Sequence, residues 1–339
     1  MKLLLKPEHR PDCAALSINR MKQTIILMIS LFLTGCATIH GKKDVVLGDL
    51  RFEYAVKGAG NPPVIFVTGL GGEMDTWQPV FDSVSEFTTA LVYDRSGYGE
   101  SGKPAGSLKK TVKGEVAKEA LETALDVVVP GVSTAVTIGT MAFHAADDSK
   151  PRTGAEIITE LHEILAKADI KPPYILVGHS LGGLYVSLYA RHYPLETAGV
   201  VLVDSMHPEQ IERCKEYLPQ KECDPKFYPW WVRMLISISP GVIKREMEGM
   251  SETGKQIRAA GPMPHVPVVV ISHGKKSGED IERERMWDVL QKELADEADS
   301  AKHIIAGKTG HNIQKDEPDL IVNAIRDMVI GINKYRGSF

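Results

Sequence analysis

The 339-residue chain has no large excess of either charge sign, with 40 Lys and Arg against 44 Asp and Glu. That balance offers no basic surface for a nucleic-acid backbone, so nucleic acid is excluded as a partner. Cysteine is scarce: Cys13, Cys36, Cys214 and Cys223 are the whole supply. No histidine stands at ligand spacing beside Cys214 and Cys223, which argues against a thiolate metal site. Internal repeats and low-complexity tracts are absent, excluding solenoids and arrays. Long apolar runs are missing too. Residues 24–33 are uncharged but too short for a comfortable membrane span, and residues 127–143 are uncharged but too polar. What is there is an ordinary globular composition, 43% hydrophobic and 25% charged. It suffices to bury a full core and favours one large α/β domain over two.

The chain is organised around Tyr174-Ile175-Leu176-Val177-Gly178-His179-Ser180-Leu181-Gly182-Gly183-Leu184. Its apolar start reads as a buried strand, and Leu184, Leu188 and Arg191 continue at helical spacing. Between them a serine sits among glycines, the G-x-S-x-G pattern of a sharp strand-to-helix turn. Upstream, residues 45–57 alternate like hairpin strands, with Gly48-Asp49 as the turn and Leu50, Phe52, Tyr54 and Val56 on one face. Residues 64–67 and 90–93 are short continuous apolar runs, the mark of parallel strands covered on both faces. Residues 153–168 form an amphipathic helix. Downstream, strands are expected at 199–203, ending at Asp204, then at 266–272 and 303–306, the last followed by Gly310-His311. Helices are expected at 282–297 and 320–332. Two excursions interrupt this alternation. The insertion 103–150 reads as an added pair of cap helices, a membrane-contacting hairpin or a mobile lid. The cap 207–264 holds the aromatic residues Phe227, Tyr228, Trp230 and Trp231.

Strand-helix alternation with a serine turn in the middle and Gly-His after the last strand resembles the α/β-hydrolase fold over residues 44–334. The most specific pieces are Asp94-Arg95-Ser96-Gly97-Tyr98-Gly99-Glu100-Ser101, Gly178-His179-Ser180-Leu181-Gly182-Gly183, Leu202-Val203-Asp204-Ser205 and Gly310-His311-Asn312-Ile313-Gln314. The resemblance implies a mostly parallel, doubly wound sheet with helical cap insertions. It also implies a serine hydrolase of the esterase or lipase kind, cleaving a carboxylic ester or related acyl bond through an acyl-enzyme. Ser180 would be the nucleophile and His311 its base, since a serine hydroxyl is scarcely ionised at neutral pH without one. The acid is open: Asp204 stands directly at a strand end, while Asp280, or Glu279 beside it, follows the next strand. It would hold the imidazole tautomer and stabilise the imidazolium. The oxyanion donors would be the amides of Leu181 and Leu70, the latter in Thr68-Gly69-Leu70-Gly71-Gly72, where Thr68 replaces the histidine common in relatives. Asp94 and Arg95 are expected to tie the neighbouring loop by ion pairing. His207, His273 and His303 receive no role. Serine at the turn excludes the aspartyl-ester route of epoxide hydrolases and dehalogenases. No metal or organic cofactor is implied. The substrate would be a small-molecule ester or a lipid; an acyltransferase with the same triad and a catalytically inactive binding module are the alternatives. Nothing in the chain indicates its oligomeric state.

Before the domain, Met21-Lys22 leads into the apolar run and then Leu33-Thr34-Gly35-Cys36. This resembles a bacterial lipoprotein signal, with residues 1–35 as leader, Met21 as the true start, Cys36 as the lipidated residue and 37–43 as a tether. A plain signal anchor with an incidental cysteine is the alternative. Ala37 after the cysteine implies sorting to the outer membrane, with the protein on the periplasmic face. There an oxidising compartment would favour a Cys214–Cys223 disulfide over two free thiols. At about 0.8 kcal/mol per buried methylene, several acyl chains hold a protein firmly to a bilayer. Cys36→Ala is therefore expected to move the protein from the membrane to the soluble fraction; unchanged membrane fractionation would refute the anchor.

Overall fold

The computed structural model describes residues 38–104, 150–219, 223, 236, 241–276, 278, 281–298 and 301–336. The insertion at 105–149, Cys36, the cap aromatics and the alternative acids Glu279 and Asp280 lie outside the described residues. Residues from Ile39 onward form one compact unit.

Among the described residues nine strands form one sheet in the order β1-β2-β4-β3-β6-β7-β8-β9, with β5 also paired to β2. They are β1 (Lys43–Leu47), β2 (Leu50–Lys57), β3 (Val64–Val67), β4 (Ala90–Tyr93), β5 (Lys103–Pro104), β6 (Tyr174–His179), β7 (Thr197–Val203), β8 (Val268–His273) and β9 (Lys302–Ala306). From β4 to β9 every pairing is parallel, whereas β1, β2, β4 and β5 join antiparallel. The apolar runs at 64–67, 90–93 and 174–177 are strands for the reason that predicted them. Val64–Val67, Ala90–Tyr93 and Tyr174–His179 are buried along their whole length, because helices cover both faces.

One layer holds α2 (Gly154–Lys167), α3 (Leu181–His192), α5 (Gly241–Ala259) and α6 (Ile281–Asp296). Ile157, Leu161, Leu184, Leu188, Met250 and Trp287 close its core against Ile65, Leu91 and Leu176. The opposite layer holds the 3-10 turn Met74–Trp77, α1 (Gln78–Ser85) and α8 (Pro318–Arg336). There Trp77, Phe81, Ile321 and Ile325 pack on Phe66, Ile175 and Val177. At roughly 1.5 to 3 kcal/mol for each large apolar side chain buried, these two faces outweigh any single polar contact in the molecule. Two smaller helices, α4 (Gln210–Tyr217) and α7 (Ile313–Asp316), and a second 3-10 turn, Pro194–Glu196, complete the described set.

Two expectations change. Strand β2 was expected to bury one face, yet Ala55 on its other face is also buried, against a core that includes Ile39. The segment preceding β1 covers that side. The excursion 207–264 is more than a cover: its helix α5 buries Met250 and Ile257 in the main core beside Leu188. Within it Cys214 and Cys223 are joined by a disulfide, S–S 2.06 Å.

The chain before β1 is pinned at the carboxyl end of the sheet. Lys43 pairs with Tyr54, which pairs with Tyr93 at the last position of β4. Asp75 takes the Ile39 amide at 2.7 Å and the Lys42 ammonium at 3.0 Å. Beside it, burial pushes the Asp94 carboxyl up to about 7 and the Glu73 carboxyl up to about 8, the latter helped by the charge of Asp94. Glu73 Oε1 is buried without a partner. Both groups hold their proton more tightly folded than unfolded. Their contribution to stability is therefore complete below about pH 4 and is lost as pH rises toward neutrality and above. Glu73→Gln removes one titration, so its melting temperature relative to wild type is expected to rise steadily between about pH 4 and pH 8. Thermal melts giving a pH-independent difference would contradict this origin.

Candidate active site

The sheet order brings the carboxyl ends of β6, β7, β8 and β9 side by side, and the polar residues of the site follow directly from those ends. Ser180 comes after β6 with φ 53° and ψ −121°, a backbone conformation that is costly for any residue with a Cβ. The turn is possible because Gly178 lacks a side chain: a Cβ there would lie 2.5 Å from the Gly182 carbonyl. Leu181 is the first residue of α3, so its amide has no preceding helical carbonyl to bond.

Asp204 follows β7 and is also left-handed, with φ 43°. Its carboxylate is wholly buried and takes four N–H donors. Oδ2 accepts from His311 Nδ1 at 2.6 Å and from His273 Nδ1 at 2.8 Å. Oδ1 accepts from Trp287 Nε1 at 2.9 Å and from the His273 amide at 3.1 Å. Burial alone would push this carboxyl up, but the bonds from His273 and His311 win and hold it well below the usual carboxylate range. Asp204 is thus a permanent anion. Donation from Nδ1 leaves the other ring nitrogen of His311 as the acceptor, the tautomer a general base requires.

His179, next to Ser180, is tied to the same histidine. Its Nε2 donates to the His311 carbonyl at 2.9 Å, and the two rings lie 4.6 Å apart. Burial, reinforced by His311, lowers the His179 imidazole to about 3, so it stays neutral. Its Nδ1 accepts from Gln314 Nε2 at 3.5 Å. His179 therefore braces the loop that carries His311.

The loop after β3 closes the other side. Gly69 lies so near the serine turn that a Cβ would fall 2.9 Å from the Ser180 Cβ. Asp94 holds the following turn by accepting the Met74 amide at 2.7 Å. The expected ion pairing of Asp94 is replaced by this backbone bond. Arg95 does form an ion pair, with the distant Glu246, and it also bonds the loop's carbonyls.

Of the residues singled out in the sequence, Ser180, Leu181, Asp204, His311 and the loop of Leu70 converge at one edge of the sheet. Asp280 lies outside the described residues. The sequence reading missed His273, Trp287 and Glu246. A polar residue at the last position of β8 was the available signal for His273. Trp287 was hidden as one more apolar-face residue of α6. Glu246 lies 151 positions from Arg95 and had no local signal. Among the described residues no cluster of metal-ligating side chains occurs.

The α/β hydrolase fold family matches residues 62–237, just over half of the chain. Over 272 residues the chain is 22% identical to the uncharacterized protein YqjL of Bacillus subtilis (strain 168), covering 80% of this chain and 85% of that protein. Its fold is similar to that of the enol-lactonase from Burkholderia xenovorans LB400, with a TM-score of 0.50 and 16% identity over 85% of this chain and 100% of the other. It is similar also to a membrane phospholipase A described as a bacterial virulence factor, with a TM-score of 0.50 and 14% identity over 94% of this chain and 95% of the other. At such identities the structural likeness speaks for the fold. Strand order, the strained serine turn and the family match together place this chain in the α/β hydrolase fold family.

Proposed function

We propose that this protein is a serine hydrolase that cleaves a carboxylic ester or related acyl bond through an acyl-enzyme on Ser180, tethered by a lipidated Cys36 to the periplasmic face of a bacterial membrane. The observation that carries the catalytic part is the 2.6 Å bond between the buried anion Asp204 and His311, at the sheet edge where Ser180 stands in its strained turn. In this reading the Ser180 hydroxyl attacks the acyl carbon while its proton passes to His311. The imidazolium so formed is stabilised by Asp204, whose charge burial cannot extinguish. The amides of Leu70 and Leu181 receive the oxyanion. Collapse of the tetrahedral intermediate expels the alcohol, protonated by His311, and a water activated by the same histidine releases the acid. Where an alcohol outcompetes that water, the same steps accomplish acyl transfer. The phospholipase and the lactonase among its structural neighbours bear names of acyl-bond chemistry, in keeping with this assignment.

A serine-directed fluorophosphonate is expected to label the wild type and not Ser180→Ala. Failure to label the wild type would replace the hydrolase by an inactive binding module. On a p-nitrophenyl ester, Asp204→Asn is expected to lower turnover by about four powers of ten, the scale of losing the tautomer-fixing acid. Asp280→Asn should stay near wild type; the reverse pattern would move the acid to Asp280.

A further inference from the structure

Behind the loop after β3 lies a buried polar network that the catalytic steps above do not use. The Arg95 guanidinium is bidentate to the Glu246 carboxylate, Nε to Oε1 at 2.9 Å and Nη2 to Oε2 at 2.9 Å. Neither side chain has any exposure. The remaining donors of Arg95 go to the loop: Nη1 to the Thr68 carbonyl at 2.8 Å and to Thr68 Oγ1 at 2.6 Å, and Nη2 to the Gly69 carbonyl at 2.9 Å. A second arm starts from the same carboxylate. The Tyr98 hydroxyl donates to Glu246 Oε2 at 2.9 Å and accepts the Gly71 amide at 3.2 Å. Glu246 therefore grips the loop on both sides of Leu70.

The consequence follows from the planarity of the peptide bond. The Gly69 carbonyl and the Leu70 amide belong to one planar trans unit, so fixing the direction of the C=O fixes that of the N–H, which points the opposite way. A fork held rigidly by a buried carboxylate has little freedom to let that carbonyl turn. We propose that Glu246, acting through Arg95 and Tyr98, is the positioning residue that aims the Leu70 amide at the oxyanion. This inference rests on the reading of Leu70 as an oxyanion donor. It also assigns the part played by the histidine common in relatives, absent at Thr68, to a carboxylate on helix α5. Because α5 belongs to the excursion between β7 and β8, seating that helix and forming the oxyanion hole become one event.

A structural role and a positioning role are separated by removing both charges together. A buried ion pair replaced by apolar side chains of similar volume commonly keeps its fold, whereas a lone buried charge does not. Arg95→Met/Glu246→Leu is thus expected to fold, yet to hydrolyse p-nitrophenyl butyrate with kcat lowered by about a hundredfold, the scale of an ångström of misalignment. KM should stay within about twofold, because the loss falls on the transition state. Amide hydrogen exchange over residues 68–74 is expected to accelerate about tenfold while β6 stays protected. Glu246→Asp, which keeps the charge, should recover part of kcat. Wild-type kcat or unchanged exchange in a folded double variant would overturn the proposal. Faster exchange at 68–74 in a protein whose wild type neither turns over ester nor labels with fluorophosphonate would leave the anchoring of the loop standing and remove the hydrolase reading.

Discussion

A carboxylate with no exposure to water is the constraint around which this edge of the sheet is built. Left alone at that depth, Asp204 would take up a proton and become a neutral acid. It stays charged because β8 and α6 and the loop after β9 each deliver N–H groups to it. Those donors come from three places in the chain, and only the order β6-β7-β8-β9 sets them side by side. The anion in turn fixes the ring of His311, and His179 fixes its backbone. The placement of the His311 ring is therefore inherited from the sheet, by way of one buried charge.

Much of this was legible in the sequence, and what was not has identifiable physical reasons. Parallel strands buried on both faces write themselves as apolar runs, so residues 64–67, 90–93 and 174–179 were read nearly to their ends. The serine turn was legible because its strain demands glycine at Gly178. The acid was ambiguous because successive strand ends each offer a carboxylate, and only a third dimension says which faces a given imidazole. Helix α5 was passed over because its charged residues dilute the apolar stripe, and one of those charges, Glu246, points inward. A partner for Arg95 on that helix is a contact of tertiary structure alone.

The two buried anions, Asp204 and Glu246, solve the same problem in different ways. Asp204 is stabilised as an anion by four N–H donors, none of them a fixed cation. Glu246 is held by the Arg95 guanidinium and the Tyr98 phenol, with the Arg152 guanidinium 4.0 Å away. The first arrangement leaves a charge available to a neighbouring imidazole, as catalysis would ask. The second consumes the charge entirely in holding backbone still. Active edge and structural brace thus lie on opposite sides of the Thr68–Gly72 loop, one working by electrostatics and the other by rigidity.

The left-handed backbone at Ser180 and at Asp204 has an evolutionary corollary. Glycine is the residue that accepts φ 53° and φ 43° without penalty. A lineage drifting under selection for thermostability alone would be drawn to glycine at both positions. It would end with a sturdier protein that had lost the two side chains on which the proposed chemistry rests. Under the proposed function, the strain stored in these two residues is thus a standing tension between durability and activity, and the surrounding core is large enough to tolerate it.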